Sequence, residues 1–316
     1  MKANCLFVLL LLGSMQLQLS GQKYRMETSD IDRFWQAYDQ LETAPNREDS
    51  IKIMQAGYID QASDFFKEFL RLRNFTAEEY VKLIAKYPRF WNSIRPLTLQ
   101  ISSRKAEVDA VFQKLAAFIP DFEQPDLCFA IGALRTGGTI SNKLILIGSD
   151  ISAADPSVET SELSPWLKSI MGKTGDIVAM VAHESIHTQQ YNYKKTTLIT
   201  GSLKEGIADF ITDQALGLNI NQPIHDYAKG RECELWQQFE QDLKSGPRNL
   251  RRWLYGGNSN KDQPADLGYY IGYKIAEAWY QEQPDKKKAI RTLLNQKKYN
   301  QIYKQSSYPS IVCARD

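Results

Sequence analysis

The chain has 316 residues, long enough for one large domain or two small ones. Apolar residues make up 43% and charged residues 24%, which excludes a disordered or fibrous chain. Lys and Arg number 39 against 37 Asp and Glu, and the resulting net charge of +2 leaves no electrostatic footprint for nucleic acid.

In chain order, Lys2 is followed by an unbroken apolar run, Cys5–Leu12, then Gly13 and a polar stretch to Gly21. A positive start, a short apolar run and small residues at Ser20–Gly21 predict a cleaved signal peptide over residues 1–21. An uncleaved interfacial anchor is the alternative. The run is shorter than the roughly 20 residues that a membrane span needs, and no later one exceeds the six residues Ile177–Ala182. The mature protein is therefore expected to be exported, periplasmic or extracellular, without a transmembrane span. Cys5 stands at the start of the apolar run, whereas a lipidation cysteine follows it. Cys128, Cys233 and Cys313 remain, an odd count that predicts buried thiols and at most one bridge.

Residues 22–120 read as an N-terminal helical lobe. Asp30–Leu41 carries Ile31, Phe34, Trp35 and Tyr38 at helical spacing, with Ser29 as N-cap. Ala62–Leu72 repeats the pattern with Phe65, Phe66, Phe69 and Leu70. Thr76 caps a helix through Ala85, with Glu79 completing a capping box. Ser103–Phe118 is a further helix, ended by Pro120. Leu127–Leu134 and Lys143–Gly148 then read as short strands of one hairpin, turned at Thr136-Gly137-Gly138-Thr139. From Ser164-Pro165, an N-cap followed by Pro at the first helical position, the chain returns to helices. The fold class is therefore α+β and mostly helical, with a small sheet or hairpin.

The informative segment is Asp176–His187. Its apolar first half has helical character, and on a helix His183 and His187, four residues apart, project side by side. Two imidazoles so presented can hold Zn²⁺, and Glu184 can reach a water beside the metal. A catalytic zinc site needs a third protein ligand. Glu205, in Ser202-Leu-Lys-Glu205-Gly-Ile-Ala-Asp209-Phe, can be brought there by a second helix, and Asp209 can accept the remaining ring N–H of a zinc histidine. Ser202 and Glu205 equally satisfy a capping box, which would make Glu205 structural. His225, the remaining histidine, reads as part of a surface loop, and Arg231, Glu232 and Glu234 read as a solvated helix face.

His-Glu-x-x-His followed by Glu-Gly-x-Ala-Asp-Phe resembles the gluzincin zinc metallopeptidases. Three segments, Ala182–Gln190, Ser202–Phe210 and Pro264–Ala278, are more closely similar to bacterial predicted zinc-dependent proteases related to the gliding-motility lipoprotein GldB. The resemblance covers roughly residues 120–310 and departs from the lipoproteins in lacking a lipidation cysteine. It implies a zincin-like catalytic domain over residues 121–316. One zinc ion per chain would be held by His183, His187 and Glu205, with Glu184 as general base and Asp209 orienting a ligand. Gluzincins take an oxyanion donor from a later helix; here the helix Ala265–Tyr280 offers Tyr269, Tyr270 and Tyr273, of which Tyr273 and then Tyr270 are the expected donors. They also bind peptides along a sheet edge, a role that falls to the hairpin 127–148, where Gly137-Gly138 permits close approach. The expectation is an exported zinc-dependent peptidase acting on a peptide or protein. The alternative is a zinc-binding but non-catalytic cell-envelope accessory protein.

Overall fold

The structure is a computed structural model that describes residues 24–171, 177–193, 195–246, 249–255 and 263–314. The signal peptide expected at 1–21 lies outside the described residues. The architecture is α+β and mostly helical, as the periodicity predicts, with one four-stranded mixed sheet.

Strand β1 (Met26–Glu27) leads into α1 (Ser29–Gln40), α2 (Arg47–Met54), α3 (Asp64–Arg73), α4 (Ala77–Lys86), α5 (Pro88–Leu99) and α6 (Lys105–Phe118). Local chemistry sets several of these starts. Ser63 and Thr76 accept the Phe66 and Glu79 backbone N–H groups as N-caps of α3 and α4. At α3 the helix ends where Asn74 turns left-handed, φ 51°. The pattern does not single out α2 or α5; α5 carries Pro96 inside it, and Pro is a poor helix signal.

The strands that follow are β2 (Asp126–Ala130), β3 (Gly138–Ser141) and β4 (Leu144–Gly148), in the order β1-β2-β4-β3. This corrects the expected hairpin. β2 and β4 pair in parallel, Leu127 opposite Ile145, and the antiparallel partner of β4 is β3, which begins inside the Thr-Gly-Gly-Thr segment. The tight turn is at Asn142, φ 54°, not at the glycines. Four consecutive residues of β2 and of β4 are buried, so both faces of the central strands are covered. Helices α1 and α3 pack on the sheet from the first third of the chain.

Beyond the sheet come α7 (Ser149–Ser152), α8 (Pro165–Ile170), α9 (Ile177–Gln189), α10 (Leu198–Leu216), α11 (Gln222–Ala228) and α12 (Glu232–Lys244), then α13 (Leu250–Trp253), α14 (Leu267–Gln281), α15 (Lys286–Leu294), α16 (Tyr299–Gln305) and α17 (Tyr308–Ile311). Helix α9 packs against β3 and β4 on one side and against α6 and α10 on others, which explains an apolar run without amphipathic contrast. Helices α10 and α14 cross at glycines. A Cβ on Gly272 would collide with the Ser202 carbonyl oxygen, and one on Gly206 with the backbone of Tyr273. Cys233 and Cys313 form a disulfide across 80 residues, and Cys128 is a buried free thiol. Among the described residues no helix is long and apolar enough to cross a membrane.

Candidate metal centre

Residues Ile177 to His187 of α9 are all buried, so the helix is held on every side while its histidine face meets α10. The imidazoles of His183 and His187 stand 4.7 Å apart and nearly perpendicular. Helix α10 begins at a capping box made by Thr197 and Thr200, a full turn before Ser202. Ser202 is therefore an interior residue, and Glu205 is free of the capping role that its spacing also allows. Its Oε2 lies 3.0 Å from His187 Nε2 and 3.6 Å from His183 Nε2, and the two Nε2 atoms are 3.0 Å apart.

Hydrogen bonds on the far sides of the rings decide what these atoms can be. His183 Nδ1 is 2.8 Å from Asp209 Oδ1, and the carboxylate can only accept, so Nδ1 donates and, in the neutral ring, Nε2 is the nitrogen left to bind a metal. His187 Nδ1 is 2.9 Å from Gln190 Oε1, an orientation fixed because Gln190 Nε2 donates to the Lys204 carbonyl. With both rings neutral, as a metal requires, two imidazole lone pairs and a carboxylate oxygen converge on one point. Tetrahedral zinc with bonds of about 2.0–2.1 Å would separate its ligand atoms by about 3.3 Å, and the three distances here, 3.0, 3.0 and 3.6 Å, bracket that spacing. The residues fit a divalent cation.

Electrostatics agree. Burial disfavours a charged His183, yet the Asp209 carboxylate bonded to it and Glu205 beside it overcome this and push its pKa up to about 10. Burial would raise Glu205, but the charges of His187 and Lys204 hold its carboxyl well below the usual range. The pocket is built to retain positive charge. Asp209 is itself steadied by Asn221, whose amide donates to Oδ2 at 2.8 Å.

The triad opens into a cleft of about 480 Å³. Glu184 lines it beside β3, the edge strand, and Gly138 of that strand abuts the Glu184 carboxyl. The expected oxyanion donors are elsewhere. Tyr273 donates to Asp213 on α10, and Tyr270 lines a separate cavity with Glu232 and Tyr308. Tyr269 and Tyr255 line the cleft instead. Tyr269 stacks 6.4 Å from His183, and Tyr273 is one helical turn, about 5.4 Å, further along α14. Tyr255 donates to Glu205 Oε1 at 2.6 Å. Burial first, and then the Glu205 charge, keep both hydroxyls protonated far above neutrality. His225 is in helix α11 rather than a surface loop, with its ring against Tyr270 and Tyr273, and burial lowers its pKa. Gln190 has a local signal, three residues beyond His187 and just past the end of α9; Tyr255 and Asn221 have none, because separate segments bring them in.

The family model described as gliding motility protein GldB matches residues 19–310. No curated protein and no solved structure matches the chain.

Proposed function

The chain belongs to the gliding motility protein GldB family, and from that premise we propose that it is a cell-envelope accessory protein that holds one zinc ion through His183, His187 and Glu205. The observation that carries the metal is the convergence of three acceptor atoms with both imidazole Nδ1 groups already engaged. Two imidazoles and one carboxylate are a donor set suited to zinc. The disulfide joining Cys233 to Cys313 supports an oxidising compartment, and with the family supports export.

A second reading, zinc-dependent peptide hydrolysis, is favoured by one further observation. Glu184 is not among the converging ligands, yet it is buried at the wall of the cleft, next to β3 at an edge of the sheet. A structural metal site has no use for such a carboxylate. Zinc, when bound, supplies Lewis acidity that draws the pKa of water toward neutrality. Glu184 is then the group that accepts a proton from water and returns it to the departing amine. Tyr269 is the neutral donor on the cleft for a developing oxyanion, the Tyr255 proton being engaged by Glu205, and β3 offers main-chain groups along which an extended peptide can pair.

Zinc per chain and hydrolysis of a mixed peptide library, measured for the wild type and Glu184→Gln, separate the readings. One zinc ion per chain with no cleavage in either protein supports the accessory role. One zinc ion with cleavage abolished by the substitution supports the peptidase. A protein that takes up no zinc sinks both.

A further inference from the structure

Arg73 is the last residue of α3, in the N-terminal half of the chain, yet it lines the same cleft as His183, Glu184 and Glu205. Its main-chain carbonyl accepts from Arg135 Nη1 at 2.8 Å, which anchors it from behind. Arg135 is itself occupied, 3.5 Å from Glu79 and over the Phe75 ring. Lys204, a further cation on the cleft, lies 3.3 Å from Glu205.

Arg73 differs from both. Its one side-chain contact is Nη2 to Thr136 Oγ1 at 3.4 Å, long for a hydrogen bond, and among the described residues it forms no ion pair. The guanidinium carries five N–H donors and is half-buried at the cleft wall, so most of its donors are open to a group that enters the cleft. The C-terminal end of α3 favours a cation but offers no carboxylate. Thr136 in turn donates to the Gly138 carbonyl at 2.6 Å, and Gly138 abuts Glu184. Arg73 is thereby tied to the end of β3 that faces the metal centre, where the Glu184 carboxylate favours its charge from across the cleft without forming a direct ion pair with it.

We infer that Arg73 reads a carboxylate on the peptide that occupies this cleft, so that the site takes acidic or free C-terminal peptides in preference to neutral ones. The inference rests on the cleft taking a peptide, bound or cleaved, and not on turnover. A guanidinium fork matches a carboxylate in two parallel hydrogen bonds, and that geometry, with the charge, gives the preference. The helical first third of the chain then has a part in recognition, supplying the cation while α9 and α10 supply the metal ligands.

The test is binding to the zinc-loaded full-length Glu184→Gln protein, which separates affinity from turnover. The probes are a doubly blocked hexapeptide with a central glutamate, its glutamine counterpart, and the glutamine peptide with a free C-terminus. A carboxylate peptide should bind roughly tenfold or more tightly than the neutral one, and the identity of the preferred probe tells side chain from C-terminus. Adding Arg73→Gln should erase the difference, Arg73→Lys should keep part of it, and the exposed Lys67→Gln should change nothing. The unfolding midpoint of Arg73→Gln checks the fold; if it drops sharply, the Arg73→Lys comparison decides. Equal binding of all three probes, or no binding up to about 1 mM, overturns the inference. So does a preference that survives Arg73→Gln but disappears on zinc removal, since the metal would then be the reader. Wild-type cleavage of the same probes is scored separately, so a protein that binds selectively and cleaves nothing loses the peptidase reading alone.

Discussion

A Cβ built on Gly138 would stand 2.6 Å from the Oε1 atom of Glu184. Edge strand β3 and the carboxylate beside the metal triad therefore share one wall, and Glu184 keeps its present position there because residue 138 has no side chain.

Gly138→Ala tests that relationship. The added methyl must push either β3 or Glu184, and overpacking of this kind costs about 1–3 kcal/mol. The three atoms nearest the methyl all belong to Glu184 and none to a metal ligand, so zinc content should stay at the wild-type level while the urea midpoint falls. If the protein cleaves peptides, that activity should fall toward the level of Glu184→Gln. A variant with unchanged stability and unchanged activity would show that the contact is not made.

Asp209→Asn should weaken zinc binding without removing a ligand. The carboxylate holds the proton of His183 on Nδ1, and an amide can present its N–H there instead, which favours the wrong tautomer. Loss of such an outer partner costs about 10–100-fold in metal affinity. Competition against a chelator measures it. Gln190→Ala, which frees the His187 ring, should act in the same direction.

The metal-free protein should carry a pH signature. His183 has its folded pKa raised to about 10, against about 6.5 in an unfolded chain. A raised pKa means that the folded state binds the proton more tightly. The stabilisation is fully present below about 6.5 and is lost as pH rises through about 10. Glu205 has the opposite sign, since its pKa is depressed, so its contribution is present at neutral pH and lost in acid. Protein stripped of metal should lose unfolding midpoint between about pH 7 and pH 10, and zinc-saturated protein should lose less because the metal replaces that proton. Parallel curves with and without zinc would contradict this.

Gly272→Ala should be far more damaging than an ordinary helix substitution. Alanine is the better helix former by about 1 kcal/mol, yet here its methyl would meet the backbone carbonyl of Ser202, which cannot rotate away. Separating α14 from α10 moves Tyr269 relative to Glu205, so both thermal stability and zinc affinity should drop. A variant as stable as the wild type would disprove the tight crossing.

How much of this was legible in the chain depends on how local each feature is. His183, Glu184 and His187 could be placed from spacing because one helical turn sets their geometry, and the structure adds only their burial. The capping boundaries read at Thr76 and Ser164 are equally local, each a side chain bonded to a backbone N–H three residues on, whereas Ser29, read as the N-cap of the first helix, lies inside it, after Thr28, which makes no side-chain cap bond. The hairpin was misread because an apolar run shows that a strand is buried but not with which strand it pairs. Tyr273 was preferred over Tyr269 for a related reason. Both lie on one face of α14, and the crossing point at Gly206 and Gly272 decides which reaches His183 and which reaches Asp213.

By itself the sequence determined most helices of the first third, the α+β class, the two histidines on one helix face and the acidic pair on a second helix. These follow from periodicity and caps, which act within a few residues. Only the tertiary structure decided that Glu205 is part of the convergent triad rather than a cap, that Gln190 and Asn221 brace the ligands, that β3 is the edge beside Glu184, and that Arg73 reaches the cleft from the first third of the chain. Those are contacts between segments distant in sequence, set by how buried surfaces and close-packed glycines fit together, and no local pattern encodes them.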